Sequence, residues 1–468
     1  MKNKFEKNLG ITLIALVVTI VVLLILSGVT ISMLTGQNSI LNKAGESNQK
    51  TEETQEKENL ELAIMSSKME DVSTLEISKN SLEKAVKSQF GEDKRFNITD
   101  NGDNSFTISF EDSNRIYYVD KSGEMKKNDD ILKISTAGDL KIFRDDVNSG
   151  NSYEGKYVYL TNDIQLDINE NWKPIGIAEQ TMDMSSNSEM HKPFKGIFDG
   201  KGHSIKGINI NTNEKGQGLF GFAIGAQILN VTLENSSIIA GTASAGIVGY
   251  IRDSGSISNC INKTNVSGNM MIGGIAGYCS NSNIEYCQNI GNITGKSQYI
   301  SGISGHAGPN TKIYRCINNG SVLGNTHSVG GIAGRISNNC QILESCNLKE
   351  ISGINYIGGI AGAVENGVEI NACYNIANIV GIVDQNSYDI GGIAGESTSS
   401  FNSVKNSYNI GNISGKSNTG LIIGYDKLNT VIFNCYTQND AFTYMNLGSE
   451  YKFDIKNINR GYPILSWQ

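Results

Sequence analysis

The stretch GGIAG occurs four times in this chain, at Gly273–Gly277, Gly330–Gly334, Gly358–Gly362 and Gly391–Gly395. Such a stretch suits a phosphate-binding loop, a contact between transmembrane helices, or one turn of a repeating fold. A glycine followed by Leu or Ile recurs at intervals of 28, 28, 28, 29, 28, 33 and 28 residues. This regularity indicates a solenoid. The glycines are Gly218, Gly246, Gly274, Gly302, Gly331, Gly359, Gly392 and Gly420.

The other two explanations, a phosphate-binding loop and a contact between transmembrane helices, each require a structural context that the sequence around these glycines does not provide. GQGLFG at Gly216–Gly221 matches a dinucleotide-binding fingerprint, but that motif needs a preceding strand, a following helix and a distant acidic residue. Here it is only the first turn of the repeat. A G-x-x-x-G pattern such as Gly273–Gly277 marks helix dimerisation only inside an apolar segment of about twenty residues, which is missing here.

Three apolar positions recur in every repeat and are mostly β-branched, as expected for inward-facing strand residues. Asn, Gly and Ser lie between them and suit turns. We therefore expect a coil of three parallel sheets, with like residues about 4.8 Å apart from coil to coil. The three columns are Leu219, Ile247, Ile275, Ile303, Ile332, Ile360, Ile393 and Leu421; Ile228, Ile257, Ile284, Ile313, Ile342, Ile370, Val404 and Ile432; and Ile238, Val266, Ile293, Val322, Ile351, Ile379 and Ile413.

The repeats resemble the GLUG family of bacterial surface proteins and adhesins. The words that carry the resemblance are GGIAG, IEYCQNIGNITG and IYRCINNGSVLG, with WKPIG and FKGIFDGKGHSIKGINI leading in. The resemblance extends over about residues 135–468 and implies a right-handed β-helix. We expect its cap and first coils at 129–216, the repeats at 217–437 and a C-terminal cap at 438–468.

Both ends of a β-helix need covering, because unpaired strand edges are exposed there. Thr136–Asp139 has the pattern of a helix cap and leads into the amphipathic stretch Leu140–Val147, which we expect to cover the first coil. At the other end Tyr451–Ile458 alternates apolar and charged residues, and Gly461–Gln468 is expected to plug the last coil.

The N-terminus has the pattern of a membrane anchor. Residues 1–10 carry Lys2, Lys4 and Lys7, and the stretch Ile11–Met33 that follows has no charge. It is long enough to cross the ~30 Å hydrocarbon core as a helix, predicted here for 11–34. The basic residues place Met1 in the cytoplasm and the bulk of the chain outside the cell membrane.

Residues 1–57 resemble a type IV prepilin. The resemblance implies a leader at 1–10, cleavage by a prepilin peptidase between Gly10 and Ile11, methylation of the new N-terminus, and association with pilin-like subunits. Pilins usually carry Glu as the fifth mature residue, whereas this chain has Ala15, so filament assembly stays open. A plain signal anchor without this processing also fits the pattern.

Between the anchor and the repeats we expect a helical stalk at 35–71 and a small α/β segment at 72–128. In that segment Ser81–Gln89 has a helical pattern, and Phe106–Phe110 and Arg115–Val119 look like paired strands. The net charge of −8 and the scarcity of Arg argue against a nucleic-acid partner.

The chain has eight cysteines, and six are spaced as one column of the coil: Cys260, Cys287, Cys316, Cys346, Cys373 and Cys435, with Ser407 replacing one. Parallel side chains about 4.8 Å apart are poorly placed for disulfides, so we expect reduced thiols. Cys279 and Cys340 lie off the column. No C-x-x-C motif is present, and we expect no zinc and no cofactor.

Candidate catalytic residues are sparse. The acidic residues of the repeats fall at different repeat positions, and the one pair worth testing is Asp199 with His203, where Asp199 also suits a turn cap. His306 and His327 fall at corners of adjacent coils. The irregular spacing places a bulge near Ile382–Tyr388, and loops on rigid scaffolds often bind ligands.

The sequence therefore predicts a membrane-anchored, pilin-like surface protein whose β-helix serves adhesion to an extracellular glycan or protein, and not an enzyme. Two alternatives remain open. A polysaccharide-active β-helix enzyme would show carboxylates converging on one exposed face, and an architectural spacer would show a featureless polar surface.

Overall fold

The computed structural model describes residues 40–437 apart from 71–76, 92, 101–104, 114, 120–122, 124, 128–129, 179–189 and 383–385, and then 447, 449–452, 454, 459 and 462–468. The chain divides into two compact units, at the boundary between Asn128 and Asp129. The predicted leader and membrane helix lie outside the described residues. Within those residues no helix is long and apolar enough to span a membrane.

The first unit contains two helices and a small sheet. Helix α1 is Ile40–Glu70 and helix α2 is Lys79–Phe90, which begins at a capping box formed by Ser78 and Ser81. Four antiparallel strands follow, in chain order. The predicted strand pair is present, and α1 lies within the range predicted as a helical stalk. The strands are Phe96–Asp100, Phe106–Phe110, Arg115–Val119 and Met125–Lys127.

A buried carboxylate ties α1 to this sheet. Glu56 lies 3.3 Å from Arg115 and 3.5 Å from Lys94, and accepts hydrogen bonds from Ser113 and Tyr117. It is 6% exposed. Because its charge is paired and its oxygens are hydrogen-bonded, we assign Glu56 a structural role.

The second unit is a parallel β-solenoid of about ten coils. Each repeat coil contributes one strand to each of five sheets, numbered I to V along the coil. Sheet I contains Ser244–Ala245, Ile272–Gly273, Ile300–Ser301, His327–Gly330, Asn355–Gly358, Tyr388–Gly391 and Ser417–Gly420. Sheet II contains Phe220–Ile224, Val248–Arg252, Ala276–Ser280, Ser304–Ala307, Ala333–Ser337, Ala361–Glu365, Ala394–Ser397 and Ile423–Asp426.

Sheets III to V complete the coil. Sheet III contains Ile131–Ile134, Tyr157–Leu160, Ile197–Asp199, Gln227–Leu229, Ser256–Ser258, Asn283–Glu285, Lys312–Tyr314, Gln341–Leu343, Glu369–Asn371, Ser403–Lys405 and Val431–Phe433. Sheet IV contains Ile164–Gln165, Ser204–Lys206, Thr232–Glu234, Ile261–Asn262, Gln288–Asn289, Ile317–Asn318, Cys346–Asn347, Tyr374–Asn375, Tyr408–Asn409 and Tyr436–Thr437. Sheet V contains Asn209–Asn211, Ser237–Ile239, Asn265–Gly268, Ile293–Gly295, Val322–Gly324, Ile351–Gly353, Ile379–Gly381 and Ile413–Ser414.

The parallel solenoid was predicted, but the number of three sheets is wrong. The second apolar column lies at the centre of the sheet III strands and the third lies in the strands of sheet V, while the first lies at the bend between sheets I and II. Sheet IV was missed because most of its strands are only two residues long and so carry no periodic signal, and three of the seven strands of sheet I are equally short. The right-handed winding remains a prediction.

The last coil is shifted by one residue from the predicted alignment. Gly391 pairs with Gly420, so Leu421 occupies the position of the second glycine. Ile422 therefore takes the inward position that the alignment gave to Leu421. The glycine was misaligned because Leu421 replaces the second glycine in this coil, so that Gly420, the equivalent of a first glycine, was taken for the second.

The interior contains a column of buried asparagines that sequence analysis had assigned to turns. Each of the first five side-chain amides donates to the next coil's side-chain oxygen at 2.6–2.9 Å, and all six donate to the backbone carbonyl two residues on. All six are 0% exposed. The amide groups satisfy one another's hydrogen bonds, which removes the free-energy cost of burying unpaired amides. The members of this Asn ladder are Asn262, Asn289, Asn318, Asn347, Asn375 and Asn409.

The ladder explains the second glycine of GGIAG. A Cβ on Gly274 would lie 2.3 Å from the side-chain oxygen of Asn289 and 2.3 Å from the carbonyl oxygen of Gly302. The first glycine, Gly273, would place its Cβ 2.0 Å from the carbonyl oxygen of Ala276. Both positions therefore lack room for any side chain.

The N-terminal cap is confirmed. Helix α3, Ala137–Ser149, begins at Thr136, whose side chain forms a capping box with Asp139. Leu140, Phe143 and Val147 are at most 1% exposed and belong to the solenoid core. The helix thereby covers the first coil.

The predicted C-terminal plug is wrong. Tyr451–Lys452 pairs antiparallel with Ile464–Leu465, and this hairpin packs on the outer side of sheet IV. Tyr374 donates to the Gln468 side chain at 2.8 Å, and Trp467 donates to the carbonyl of Glu344 at 3.2 Å. The segment lies there because three successive outward residues of sheet IV, Cys346, Tyr374 and Tyr408, offer it an apolar strip.

Candidate ligand-binding face

The strands of sheet II send alternate side chains into the core and to the outside. Ile251 and Cys279 belong to the core, whereas Tyr250 and Tyr278, one residue earlier, belong to a separate outer cluster. The coils are in register, so the outward residues form a column. It consists of Phe222, Tyr250, Tyr278, His306, Arg335, Ala363, Glu396 and Tyr425.

A second column lies beside the first, directly before a strand of sheet I or at the second residue of one. Its members have left-handed backbone angles, with φ between 48° and 66°. The last glycine of GGIAG allows this approach: a Cβ on Gly334 would lie 2.5 Å from the backbone of Tyr299. We call the two columns together the sheet I–II face. The second column is Ala243, Met271, Tyr299, Ser328, Tyr356, Asp389 and Asn418.

The N-terminal half of this face is aromatic. The rings of Tyr250 and Tyr278 stack with centroids 4.6 Å apart and planes within 15°. Phe222 packs on Tyr250 at 5.4 Å, and His306 packs edge-on to Tyr278 at 5.0 Å. Since the stacked tyrosines cover each other's ring faces, this half is a packed ladder that offers a ligand mainly ring edges.

His306 is held in an unusual state at the end of this ladder. Both of its ring nitrogens are buried and have no hydrogen-bond partner within the described residues. Burial, with a smaller contribution from the Arg335 charge, lowers the pKa of His306 to about 3. The ring is therefore neutral at physiological pH.

The C-terminal half of the face is charged. Arg335 donates to Glu365 at 2.6 Å and to the Tyr299 hydroxyl at 3.2 Å. Burial raises the pKa of Asp389, and the Asn418 amide that donates to it at 2.6 Å acts in the opposite direction.

Glu396 has neither an ion pair nor a hydrogen bond within the described residues. Burial raises the pKa of Glu396, the charges of Asp389 and Glu365 raise it further, and the charge of Lys427 acts in the opposite direction. The expectation that acidic residues are scattered thus fails at this position, because the parallel register brings three carboxylates from two neighbouring coils together. The signal lies in the residue after the last glycine of each repeat, which belongs to an outward position, whereas the predicted columns are inward positions.

The predicted bulge borders the charged half. Residues 383–385 lie outside the described residues, but Tyr388 packs edge-on to Tyr356 at 5.8 Å, and the Ser387 carbonyl accepts from Lys416. The described end of the bulge, residues 386–388, therefore adjoins Asp389. Its role in binding stays a prediction.

The other candidate residues are placed as follows. Gly10 and Ile11 lie outside the described residues, and their processing is untested. Asp199 accepts from the backbone of Lys201 at 2.8 Å and from Tyr157 at 2.6 Å, so it is the turn cap that was the alternative interpretation. His203 contacts Asp163 at 3.4 Å instead.

All eight cysteines are free thiols in this structure. Ser345, not Cys346, occupies the predicted column: Cys346 pairs with Ile317 and Tyr374, one residue farther on. Burial raises the pKa of Cys279 and of Cys346 to about 12, which makes these thiols poor nucleophiles. No group of three metal-ligating side chains occurs within the described residues.

No family model matches the chain, and no curated protein matches it. Among solved structures, one described as "IgA1 Protease" is similar, with a TM-score of 0.40 and 15% identity. The match covers 74% of this chain and 25% of that one. At this level of similarity it carries no conclusion about the activity of this protein.

Proposed function

We propose that the protein is a pilin-like, membrane-anchored surface protein that displays its β-solenoid outside the cell and binds an extracellular glycan or protein. The charge-free stretch Ile11–Met33 after a basic start supports the anchor and its orientation. The resemblance of the repeats to the GLUG family supports a role in adhesion. The leader ending at Gly10 supports processing by a prepilin peptidase.

The observation that carries the binding proposal is the sheet I–II face. It combines half-buried tyrosines with the part-exposed Glu396 carboxylate, for which no ion pair or hydrogen bond is found within the described residues. Polar groups left unpaired at a packed surface are the groups that a ligand can satisfy.

Binding is tested with cells that display the full chain. Glu396→Gln should weaken adhesion to the host or matrix ligand about tenfold, since it removes a charge-assisted hydrogen bond worth about 1.5–3 kcal/mol. Glu369→Gln is the matched control, because Glu369 lies on sheet III, 3.3 Å from Lys405. Equal adhesion by both variants and the unaltered chain would place the binding surface elsewhere.

Processing is tested by mass spectrometry of the mature N-terminus from native membranes. An N-methylated Ile11 is the expected result. A chain that still begins at Met1 would leave a simple anchored adhesin without prepilin processing.

A polysaccharide-active enzyme is the second candidate, and the cluster of Glu365, Asp389 and Glu396 favours it. Carboxyl groups with raised pKa values can act as general acids beside an ionised partner in glycoside hydrolysis. Release of reducing sugar ends from cell-wall or host polysaccharides, abolished by Glu396→Gln, would establish this activity. Binding without such release would leave the adhesion proposal.

A further inference from the structure

The outer side of sheet IV carries a column of residues that the C-terminal hairpin covers only in part. Where the hairpin lies, the column residues are 0% exposed, whereas those of the three preceding coils remain part-exposed. The apolar cluster formed with the hairpin reaches Ile317 at its edge. The column is Ile261, Gln288 and Ile317, followed by Cys346, Tyr374 and Tyr408 beneath the hairpin.

The residues on both flanks of this column show the same change. Two positions before it, Tyr286 is 43% exposed and its equivalent Ala372 is 1% exposed. Two positions after it, Ile290 is 38% exposed and its equivalent Ile410 is 6% exposed. An apolar surface therefore continues past the hairpin with part of its area in contact with solvent. We call this part the sheet IV patch, which consists of Ile261, Tyr286, Gln288, Ile290 and Ile317.

The hairpin shows what kind of group this surface holds. Tyr408 donates to the backbone carbonyl of Pro463, and the indole of Trp467 donates to the carbonyl of Glu344 at 3.2 Å. Glu344 lies two coils before Tyr408. Between Pro463 and Trp467 the backbone thus runs along the solenoid towards the patch, with an apolar ring and its N–H donor at the leading end.

The carbonyl that Trp467 uses recurs in the patch. Glu344 has a left-handed backbone at the corner between sheets III and IV, with φ of 46°, and Arg315 and Tyr286 take the same position in the two preceding coils, with φ of 52° and 55°. No hydrogen bond to the backbone carbonyl of Arg315 or of Tyr286 is found within the described residues. Both carbonyls are therefore acceptors that an occupant with N–H donors can use.

The charges beside the patch are already paired. Arg315 lies 2.8 Å from Glu344, and Lys263 lies 2.8 Å from Glu234. The surface therefore favours an occupant without net charge, and hydrophobic burial with a few hydrogen bonds supplies the attraction.

We propose that the sheet IV patch binds an extended, uncharged segment of a partner polypeptide that carries a large apolar ring with an N–H donor. The segment continues the path that Pro463–Gln468 takes along the solenoid. Three coils at about 4.8 Å each accommodate about four extended residues at about 3.3 Å each. The patch lies on sheet IV, so this inference does not depend on ligand binding by the sheet I–II face.

The test uses the synthetic peptide PILSWQ, the sequence of Pro463–Gln468, with a fluorescent label and a benzophenone cross-linker. Fluorescence polarisation should show saturable binding to the full chain in detergent micelles. Ile290→Lys should weaken binding about tenfold, because it places a charge in the apolar surface. The matched control is Ile239→Lys, at a side chain 45% exposed on sheet V, which should bind like the unaltered chain. The peptide PILSAQ, without the indole, should bind about tenfold more weakly.

Cross-linking locates the bound peptide. Cross-links to residues 286–290 are the expected result, with the circular dichroism of Ile290→Lys unchanged. Glu396→Gln should leave peptide binding intact, so failure of this proposal and failure of the sheet I–II face are told apart. Absence of binding at about 1 mM peptide, or equal binding by Ile290→Lys, would overturn the proposal. Cross-links to Tyr374 or Tyr408 would also overturn it, since the peptide would then have displaced the hairpin.

Discussion

The first coils and the repeat coils use the same buried position of sheet IV for opposite chemistry. In the first three coils it is apolar, at Ile164, Ile205 and Leu233. In the next six it is the Asn ladder, which begins at Asn262, directly beside Leu233. At one position of sheet IV the solenoid thus has an apolar column in its first coils and a hydrogen-bonded column in the coils that follow.

The difference has a physical meaning. An apolar side chain contributes by leaving water and tolerates small errors in position. A buried amide contributes only when the coils on both sides present their partners in register, and otherwise it is costly. The repeat coils resemble one another closely and could pair out of register, so a polar ladder penalises slippage where the risk is greatest.

Breaking the ladder should have the largest effect. Asn318→Leu removes the acceptor of Asn289 and the donor to Asn347, and should lower the free energy of unfolding by about 4 kcal/mol, from two orphaned buried groups at about 2 kcal/mol each. Chemical denaturation measures the change. Asn283→Leu, an exposed position on sheet III, should change it by less than about 0.5 kcal/mol. Equal losses would show that the ladder adds nothing.

The first coils, whose sheet IV column is apolar, should lose stability by a different mechanism. Phe198 is 0% exposed and packs against Phe143 and Phe220 with ring centroids 6.1 and 5.1 Å away. Phe198→Ala should cost about 3 kcal/mol through lost burial and a cavity. Phe401→Ala, at a side chain 83% exposed, is the control and should be close to neutral in the same denaturation experiment.

Crowding the ladder should cost less than breaking it. A Cβ on Gly331 would lie 2.2 Å from the carbonyl oxygen of Gly359 and 2.6 Å from the Cβ of Asn347, so Gly331→Ala should destabilise by about 1–3 kcal/mol. Gly138→Ala, in helix α3 with no contact closer than 3.5 Å, should keep or slightly raise the melting temperature. A neutral Gly331→Ala would contradict the steric account of the motif.

The junction of the two columns allows a sharper test. Leu233→Asn would lie beside Asn262 and could extend the ladder, whereas Ile205→Asn would have apolar residues on both sides. We expect Leu233→Asn to be about 1–2 kcal/mol less destabilising than Ile205→Asn, the worth of the hydrogen bond it can form. Thermal unfolding of the two variants gives the comparison, and equal losses would show that the ladder cannot be extended.

The smallest effect concerns pH at the sheet I–II face. The pKa of His306 lies at about 3, below its usual 6.5, so the unfolded chain binds this proton first. Stability should therefore fall as the pH drops from about 6.5 towards 3. His306→Leu should flatten that decline in melting temperature, while His203→Leu, at a part-exposed site, should not. The raised pKa of Glu396 acts in the opposite direction.

Much of the fold could be predicted from spacing alone, because the inward residues of sheets III and V repeat with the coil. Helix α3 was visible through the cap at Thr136 and Asp139. The Asn ladder was not, since an asparagine in a turn and one in a buried ladder look the same in one sequence. The charged half of the face depends on register between coils, which brings Asp389 and Glu396 beside Glu365 only after folding.

The C-terminal hairpin on sheet IV changes how the solenoid would unfold under a mechanical force. Coils of a repeat protein can detach singly from an open end. Here the segment that ends at Gln468 contacts Tyr408, Tyr374 and Cys346, which belong to three successive coils. A force applied at the C-terminus is therefore shared in shear across these coils, and the last turns would yield together instead of unwinding one by one.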